Sequence, residues 1–247
     1  MSEKSIQVIY EDENIVAVNK PSGLVVHSDG KTKEETLVDW VLGKYPEIKE
    51  VGEPVVLSNG IKIYRPGIVH RLDRETSGVI VVAKNQETFL FLKRQFQDRR
   101  IKKVYRAIVH GKFKKNRGTI DKPIGKNKKD FRVWSVVNTR GVLRDAVTQY
   151  KVLCSLGDFS YIEVYPKTGR THQIRVHMKS IQRPIVGDKL YSNKEDNSLG
   201  INRVALHALS LTLSLRGGRE LKIEASLPDD FKKALTIMGV EDVLEGC

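Results

Sequence analysis

Cysteine is almost absent from this chain, since only two of its 247 residues, Cys154 and Cys247, carry a thiol. So few thiols argue against a disulfide framework and against a thiolate-rich metal cluster. Cys154 lies in an alternating apolar stretch, and we interpret it as a small buried side chain. The chemistry of the protein is therefore expected to depend on other residue types.

Long apolar runs are also missing. No stretch of about 18 or more apolar residues occurs, and the first residues, MSEKSIQVIYEDE, lack the basic region and apolar segment of a secretory signal. We therefore expect a cytoplasmic protein with no membrane partner. Hydrophobic residues still make up 40% of the sequence, which suffices for the core of one large domain or of two packed halves.

Acidic residues are the minority charge, because 30 Asp and Glu oppose 43 Lys and Arg, which gives a formal net charge of +13. A positive field attracts polyanions, although many basic proteins merely carry well-solvated lysines. Here the cations cluster at 93–106, 112–117 and 126–132, and aromatic side chains that could stack on unpaired bases lie among them: Phe96, Tyr105, Phe113 and Phe131. Nucleic acid is the first partner to consider.

The hydrophobic pattern predicts alternating strands and helices. We expect strands at 6–10, 14–18, 79–83, 103–110, 146–153 and 159–165, a hairpin at Gly217 and Gly218, and helices after Thr32, Asn85, Thr171 and Asp229. Thr32 with Glu35 has the spacing of a capping box, and the polar stretch 192–200 is expected to be a loop. These elements predict one α+β domain, residues 1–247, with a mixed, mostly antiparallel central sheet flanked by helices and loops.

The densest polar motif is HRLDRETSG, residues 70–78, which lies between a loop and a predicted buried strand. Such a junction can hold an exposed side chain on a rigid scaffold, as an active site requires. On spacing alone, a structural role is equally acceptable: Asp73 and Thr76 could cap a turn, and Arg71 could be a surface cation.

A second dense motif is TGRTHQIRVHM, residues 168–178. It places Gly169 and Arg170 before a helix whose first turn can hold an anion. The packing face of that helix leaves Arg175 pointing elsewhere. The two histidines of the motif are not four residues apart and have no flanking carboxylate, so we expect no metal site.

The two motifs together resemble the signature motifs of RluA-type RNA pseudouridine synthases. Three further stretches agree with that family: NKPSGLVVH (19–27), KVYRAIVHG (103–111) and PIVGDKLY (184–191). The resemblance extends from about Asn14 to Phe231. It implies the pseudouridine synthase fold, an active site in a central cleft, and a reaction that needs neither metal nor cofactor.

The resemblance also implies roles for three residues. Asp73 would be the catalytic carboxylate, acting on a uridine either by attack at C1′ or by removal of the C2′ proton. Arg175 would form an ion pair with Asp73, which would keep a buried carboxylate charged against desolvation. Tyr105 would stack on the uracil and is a candidate to handle its C5 proton.

The expected partner is a structured RNA, tRNA or rRNA, from which the target nucleotide must be flipped out of its stack. In this resemblance Arg71 would occupy the vacated space. The other expected RNA contacts are His70, Arg170, Lys20, Lys103 and Arg106. Only 18 residues precede Asn19, so we expect no S4-like RNA-binding domain, a slight preference for tRNA, and a monomer.

Two other functions remain in competition. A catalytically silent RNA-binding protein on the same scaffold would account for the charge and the aromatic residues. A glycoside-cleaving hydrolase would share the glycosidic-bond chemistry, but it normally uses two carboxylates, and Glu75 is the only second acid within the core motif.

Overall fold

The computed structural model describes residues 6–28, 34–56, 60, 62–192 and 198–240. The chain divides into two compact units. Unit 1 comprises Met1–Lys102 and Ser210–Ser226, and unit 2 comprises Lys103–Leu209 and Leu227–Cys247. The single-domain organisation expected from the sequence stays a prediction.

Strands outnumber helices along the described chain. Up to residue 102 they are β1 (Gln7–Glu11), β2 (Ile15–Lys20), α1 (Leu37–Lys44), a 3-10 helix (Pro46–Glu50), β3 (Val55–Val56), β4 (Lys62–Ile63), β5 (Ser77–Ala83) and α2 (Gln86–Gln97). They continue with β6 (Lys102–His110), β7 (Arg117–Asp121), β8 (Ile124–Asn127), β9 (Trp134–Ser135), β10 (Thr139–Arg144), β11 (Val147–Leu156), β12 (Phe159–Pro166), α3 (Gln173–Ser180), β13 (Leu206–Ser214), β14 (Glu220–Glu224) and α4 (Asp229–Ile237). The α+β class is confirmed.

The core of unit 1 is built on β5. All seven residues of this strand are buried, as its unbroken β-branched run predicted. Strand β2 pairs antiparallel with it and with β1 on its other side, and β13 pairs antiparallel with β14. One face of these strands packs against α2 through Phe89 and Leu92. Residues 210–226 thus complete a core that the first hundred residues begin.

Helix caps explain where α1 and α2 begin. Asn85 Oδ1 accepts the Thr88 N–H at 2.9 Å, so the predicted cap of α2 is confirmed. The predicted box for α1 is wrong, because Thr36, not Thr32, precedes the first buried turn. Thr36 Oγ1 accepts from the Asp39 N–H at 3.3 Å, and Asp39 Oδ2 accepts from the Thr36 N–H at 2.8 Å. Thr32 lies outside the described residues.

The main sheet of unit 2 contains β6, β12, β11 and β7, paired antiparallel in that order. Its core includes Ile108, Ile162, Val164 and Met178, and Phe231 of α4 packs there fully buried. Strands β6, β11 and β12 confirm the antiparallel strands expected at 103–110, 146–153 and 159–165. Helix α3 begins two residues after the expected Thr171.

A small sheet of unit 2, with the order β10-β8-β9, was missed by the sequence pattern. Most of β10 is exposed; Val142 has 80% of its surface accessible, and Phe131, in the turn between β8 and β9, has 70%. A strand without a buried face shows no alternation of apolar and polar residues, so the sequence pattern of such a basic segment predicts a loop. The expected loop at 192–200 can be described only at its ends, since 193–197 lie outside the described residues. Among the helices of the described ranges, none is long and apolar enough to cross a bilayer.

Gly187 offers a test of local packing. It has φ +71°, and a Cβ there would lie 2.0 Å from the Arg203 carbonyl oxygen. We expect Gly187→Ala to lower the free energy of unfolding by more than about 3 kcal/mol, because backbone strain and a backbone clash combine. Gly217 has φ +86°, and a Cβ added there would have no atom within 4 Å, so Gly217→Ala should cost only about 1 kcal/mol. Urea unfolding of both variants checks this; equal losses would contradict it.

Candidate active site

Asp73 lies in a tight turn directly before the buried strand β5. The Thr76 N–H donates to the Asp73 carbonyl at 3.1 Å and closes the turn. Leu72 on one side and Thr76 on the other are buried, whereas Asp73 is half-buried. The carboxylate is therefore carried by a backbone that is anchored on both sides, which suits a group that must be held in one orientation.

Lys20 fastens a second loop to this turn. Its side chain is 0% exposed, and its Nζ donates to the carbonyls of Pro21 at 2.8 Å, Leu24 at 2.9 Å and Arg74 at 3.1 Å. A buried ammonium is stabilised only if its donors are satisfied in this way. The RNA contact expected of Lys20 is therefore revised to a positioning role, since a fully buried Nζ does not reach a phosphate.

The KPSG turn that follows Lys20 is bound to the same segment. Ser22 Oγ donates to the Glu75 carbonyl at 2.8 Å, and the Gly23 N–H donates to the Arg74 carbonyl at 2.8 Å. The two residues after Asp73 thus receive hydrogen bonds from a loop about 50 positions earlier. This explains physically why NKPSG and HRLDRETSG occur together.

His70 anchors the segment before Asp73. Its ring stacks on Phe96 with 4.6 Å between ring centroids, and its Nε2 accepts the Val81 N–H at 3.0 Å. An Nε2 that accepts leaves the proton of the neutral ring on Nδ1. The ring connects α2 and β5 to the motif, so His70 positions the motif. Its RNA contact stays a prediction.

Arg71 is exposed and lies against His27. Its Nη1 donates to His27 Nε2 at 3.2 Å, and His27 Nδ1 donates to the Ser28 carbonyl at 3.1 Å. Burial, and then the nearby Arg65 and Arg71, lower the pKa of His27 to about 4. His27 is therefore neutral at pH 7 and can accept a hydrogen bond from a cation without repelling it.

In unit 2, Arg175 is held by a carboxylate that sequence reasoning did not single out. Its Nε donates to Asp188 Oδ2 at 2.7 Å and its Nη2 to Asp188 Oδ1 at 2.8 Å, and the pair is buried. The guanidinium also lies 4.9 Å from the centroid of the Tyr191 ring. A bidentate pair of this kind fixes the plane of the guanidinium.

Asp188 itself is fixed by the backbone. Its Oδ1 accepts the N–H groups of Leu190 and Tyr191, both at 3.1 Å. The signal available in the sequence was PIVGDKLY, where an acid follows an apolar run and a glycine. That pattern predicts a buried acid, and a buried acid requires a cation.

The loop before α3 is organised by Gln173. Its Oε1 accepts from Thr168 Oγ1 at 2.6 Å and from the Arg170 N–H at 3.0 Å, and its Nε2 donates to the Val147 carbonyl at 3.0 Å. His172, with φ +55°, occupies the cap position, so the expected Thr171 cap is wrong. Within the described residues no side chain caps α3, and the Gln173 amide instead bonds the loop that leads into it.

Two of the expected RNA contacts border this loop. Lys103 Nζ donates to the Thr168 carbonyl at 3.4 Å, and half-buried Arg170 donates from Nε to the Asp145 carbonyl at 3.0 Å. Both contacts are with backbone carbonyls, so these two side chains are positioned by the loop that they border.

On β6, Tyr105 and Arg106 point to opposite faces, as strand alternation requires. Tyr105 is half-buried, whereas Arg106 is 7% exposed and its Nη1 lies 2.6 Å from Glu163 Oε1. Glu163 also accepts from the Tyr165 hydroxyl. Burial first, and then this hydrogen bond, raise the Tyr165 pKa to about 12. The expected phosphate contact of Arg106 is revised, because its charge is compensated inside the protein.

His177 belongs to the interior of unit 2. Its Nδ1 lies 2.9 Å from Thr148 Oγ1 and its Nε2 3.0 Å from the Lys122 carbonyl, and burial lowers its pKa. It is a neutral packing histidine. In the described ranges, no group of three or more His, Cys, Asp or Glu side chains could hold a metal ion.

The structure thus gathers the predicted site residues into two sets. Unit 1 places Arg71 and Asp73 in one turn that Lys20 and His70 support. Unit 2 places Lys103 and Arg170 beside the loop that leads into the helix of Arg175. The ion pair of Asp73 with Arg175, and the stacking role of Tyr105, stay predictions.

Comparison with known proteins decides the family. The family model for RNA pseudouridylate synthase matches residues 14–180, which include Asp73 and Arg175. Ribosomal large subunit pseudouridine synthase D of Borreliella burgdorferi is 40% identical over 226 residues, 92% of this chain and 66% of that protein. The protein of the same name from Neisseria meningitidis serogroup A is 37% identical over 252 residues, 98% of this chain and 63% of that protein.

The chain belongs to the RNA pseudouridylate synthase family. Two solved human structures agree with this. Human RNA Pseudouridylate Synthase Domain Containing 4 has a TM-score of 0.73 at 28% identity, over 94% of this chain and 92% of that one. Human RNA Pseudouridylate Synthase Domain Containing 1 has a TM-score of 0.72 at 25% identity, over 98% of this chain and 89% of that one. The RluA-type resemblance of the motifs is confirmed, and with it the pseudouridine synthase fold.

The Asp188 carboxylate of this synthase-family chain can be tested by neutralising it. We expect Asp188→Asn to lower the free energy of unfolding by about 3–5 kcal/mol, because a buried guanidinium loses its bidentate ion pair. Asp130→Asn is a matched control, since Asp130 pairs with Arg132 at the surface. Denaturant titration measures both variants. A loss at Asp188 no larger than that at Asp130 would contradict the assignment.

The pH dependence of stability tests His27. The pKa of His27 is about 4 in the folded chain and about 6.5 in the unfolded chain. Above pH 6.5 the His27 ring is therefore neutral in both states, and it contributes nothing to the pH dependence of stability. As pH falls from 6.5 to 4 the unfolded state takes up the extra proton, and stability falls by about 3 kcal/mol. His27→Gln should remove this slope. Ring proton signals of His27 that titrate near pH 6.5 would refute it.

Proposed function

We propose that this protein isomerises uridine to pseudouridine in large-subunit ribosomal RNA, with Asp73 as the catalytic carboxylate. The observation that carries the proposal is the family match over residues 14–180, within which Asp73 occupies an anchored turn before β5. A carboxylate fixed by backbone on both sides needs little reorganisation to act on a bound nucleotide.

The reaction conserves every atom. The N1–C1′ bond breaks, the uracil turns, C5 bonds to C1′, and the C5 proton leaves while N1 gains one. Asp73 either bonds to C1′ and is later displaced, or removes the C2′ proton and later returns it. Both routes need an ionised carboxylate and neither needs an external electron acceptor.

Positive charge with exposed apolar surface supports RNA as the partner. The small β10-β8-β9 sheet exposes Val142, and the turn between β8 and β9 exposes Phe131. The same sheet carries Lys126, Arg140 and Arg144. Aromatic and apolar side chains beside cations suit unpaired bases and their phosphates. Lys103 and Arg170, beside the loop that leads into α3, supply further positive charge.

The choice of ribosomal RNA follows the names of the relatives, two of which are pseudouridine synthases of the large ribosomal subunit. The slight preference for tRNA suggested by the sequence is not confirmed, and we propose rRNA instead. Because this chain spans about two thirds of those proteins, their substrate is a proposal here. The monomeric state stays a prediction.

The competing functions give different products. A silent RNA-binding protein would bind rRNA and leave uridine unchanged, and a hydrolase would release free uracil. Family membership favours isomerisation over both. Nucleoside mass spectrometry with quantification of free uracil separates the three outcomes.

Asp73→Asn should abolish pseudouridine formation, with a rate loss of at least about a thousandfold, because the amide is neither a nucleophile nor a base. RNA affinity should stay within about threefold, since a neutral amide replaces a charge that opposes phosphate. Asp98→Asn, at an exposed acid of unit 1, is the control and should retain activity. Pseudouridine is counted in an rRNA transcript after incubation with each variant. Normal product from Asp73→Asn would end the proposal.

A further inference from the structure

Tyr191 ends the PIVGDKLY stretch and was not part of any predicted site. Its side chain is 2% exposed, and its hydroxyl oxygen accepts the Trp134 N–H at 2.9 Å and lies 2.9 Å from His172 Nδ1. A hydroxyl carries one donor and two acceptor lone pairs, so it can bond both neighbours at once. A phenylalanine would fill the same apolar space, so the hydroxyl has a role beyond packing.

The ring of Tyr191 lies against the guanidinium of Arg175. The guanidinium carbon is 4.9 Å from the ring centroid, within the range of a cation–π contact. The Tyr191 N–H also donates to Asp188 Oδ1 at 3.1 Å, and Asp188 binds the edge of the same guanidinium through both of its oxygens. One turn of chain therefore holds Arg175 by an edge and by a face.

The two neighbours of the hydroxyl lie on different elements. His172 occupies the cap position of α3 with φ +55°, a conformation that costs free energy for a residue other than glycine. Its carbonyl accepts the Val176 N–H at 2.9 Å, in the first turn of the helix that carries Arg175. Trp134 lies in β9 of the small β10-β8-β9 sheet. The hydroxyl thus joins that sheet to the start of α3.

Apolar packing makes this junction rigid. The ring of Tyr191 belongs to a core cluster with Ile124 of β8 and Val176 of α3, and Trp134 and Leu190 pack against that cluster. In a close-packed interior a ring cannot turn without displacing its neighbours, and a hydrogen bond is stronger than in water. The hydroxyl contacts and the packing together therefore determine where the ring lies.

We propose that Tyr191 is a positioning residue for the isomerisation: its hydroxyl fixes the ring, and the ring fixes the guanidinium of Arg175. The inference rests on the proposed function and on the predicted ion pair of Arg175 with Asp73. A guanidinium that must meet a carboxylate in one orientation needs a rigid support, because a small misplacement of a catalytic group lowers the rate steeply. Asp188 fixes the plane of the guanidinium, and Tyr191 links that plane to α3 and β9.

The first experiment uses Tyr191→Phe, which removes the hydroxyl and keeps the ring. We expect kcat for pseudouridine formation in a large-subunit rRNA transcript to fall about tenfold and KM to stay within about twofold, because Arg175 acts in the reaction and not in RNA capture.

Tyr45→Phe is the matched control. Tyr45 is 6% exposed, its hydroxyl donates to Glu11 Oε2 at 2.7 Å, and the ammonium groups of Lys44 and Lys84 lie over its ring. That variant should also lose stability, since it loses a buried hydroxyl bond, but it should keep the wild-type kcat. Equal kcat values for the two variants would overturn the proposal.

A second measurement observes the guanidinium without the reaction. The Arg175 Nε–H donates to Asp188 Oδ2 at 2.7 Å, so it should give a slowly exchanging signal in nitrogen-15 NMR spectra, assigned through the carbons of its own side chain. We expect Tyr191→Phe to shift this signal and to raise its exchange with solvent at least about tenfold, whereas Tyr45→Phe should change neither. A signal identical in wild type and Tyr191→Phe would show that the hydroxyl does not position Arg175.

His172→Gly tests the same junction from its other side and covers the case in which Tyr191→Phe does not fold. Glycine adopts the φ of +55° without strain, so this variant keeps the backbone of the cap position. It removes the ring that contacts the Tyr191 hydroxyl and should shift the Arg175 signal in the same direction. An unshifted signal in His172→Gly would also overturn the proposal.

Activity separates this inference from the proposed function. If Asp73→Asn is inactive while Tyr191→Phe keeps the kcat and the Arg175 signal of wild type, the positioning role is wrong and the synthase stands. If Asp73→Asn still forms product, the catalytic assignment fails whatever Tyr191→Phe shows.

Discussion

The buried ammonium of Lys20 is the interaction on which the unit 1 site depends. Three backbone carbonyls, two in its own loop and one at Arg74, converge on this one charge. Carbonyl groups repel one another unless a donor lies between them, so these three can converge only around a donor such as this ammonium. The orientation of Asp73 is thus determined by a residue that does not itself meet solvent.

The sequence predicted the strands and helices well wherever burial imposes a periodic pattern of apolar residues. Strand β5 and the Asn85 cap of α2 follow from an apolar run and a local hydrogen bond, both readable without tertiary knowledge. The β10-β8-β9 sheet was missed because it buries little, and Thr36 was missed because two overlapping capping patterns occur in one stretch. Local patterns alone could not decide between them.

The site residues likewise divide into those that local motifs located and those whose surroundings depend on long-range contacts. The motifs located Asp73 and Arg175, but Lys20 and Arg106 were expected to contact RNA although both are buried. Long-range pairing made the difference, since Glu163 is distant in sequence from Arg106 and becomes its neighbour only through β6 and β12. Asp188 was missed for the complementary reason: its pairing with Arg175 is visible only in three dimensions.

Unit 1 is assembled from two pieces of chain separated by more than a hundred residues. Leu211, Leu213 and Ile223 fill the core that β2 and β5 begin, and Gln95 exchanges two hydrogen bonds of 2.9 Å with the backbone of Ser214. A ribosome must therefore release residues 210–226 before the Asp73 turn has its final support. Loop closure over such a span is slow, so unit 1 completes its folding late during synthesis.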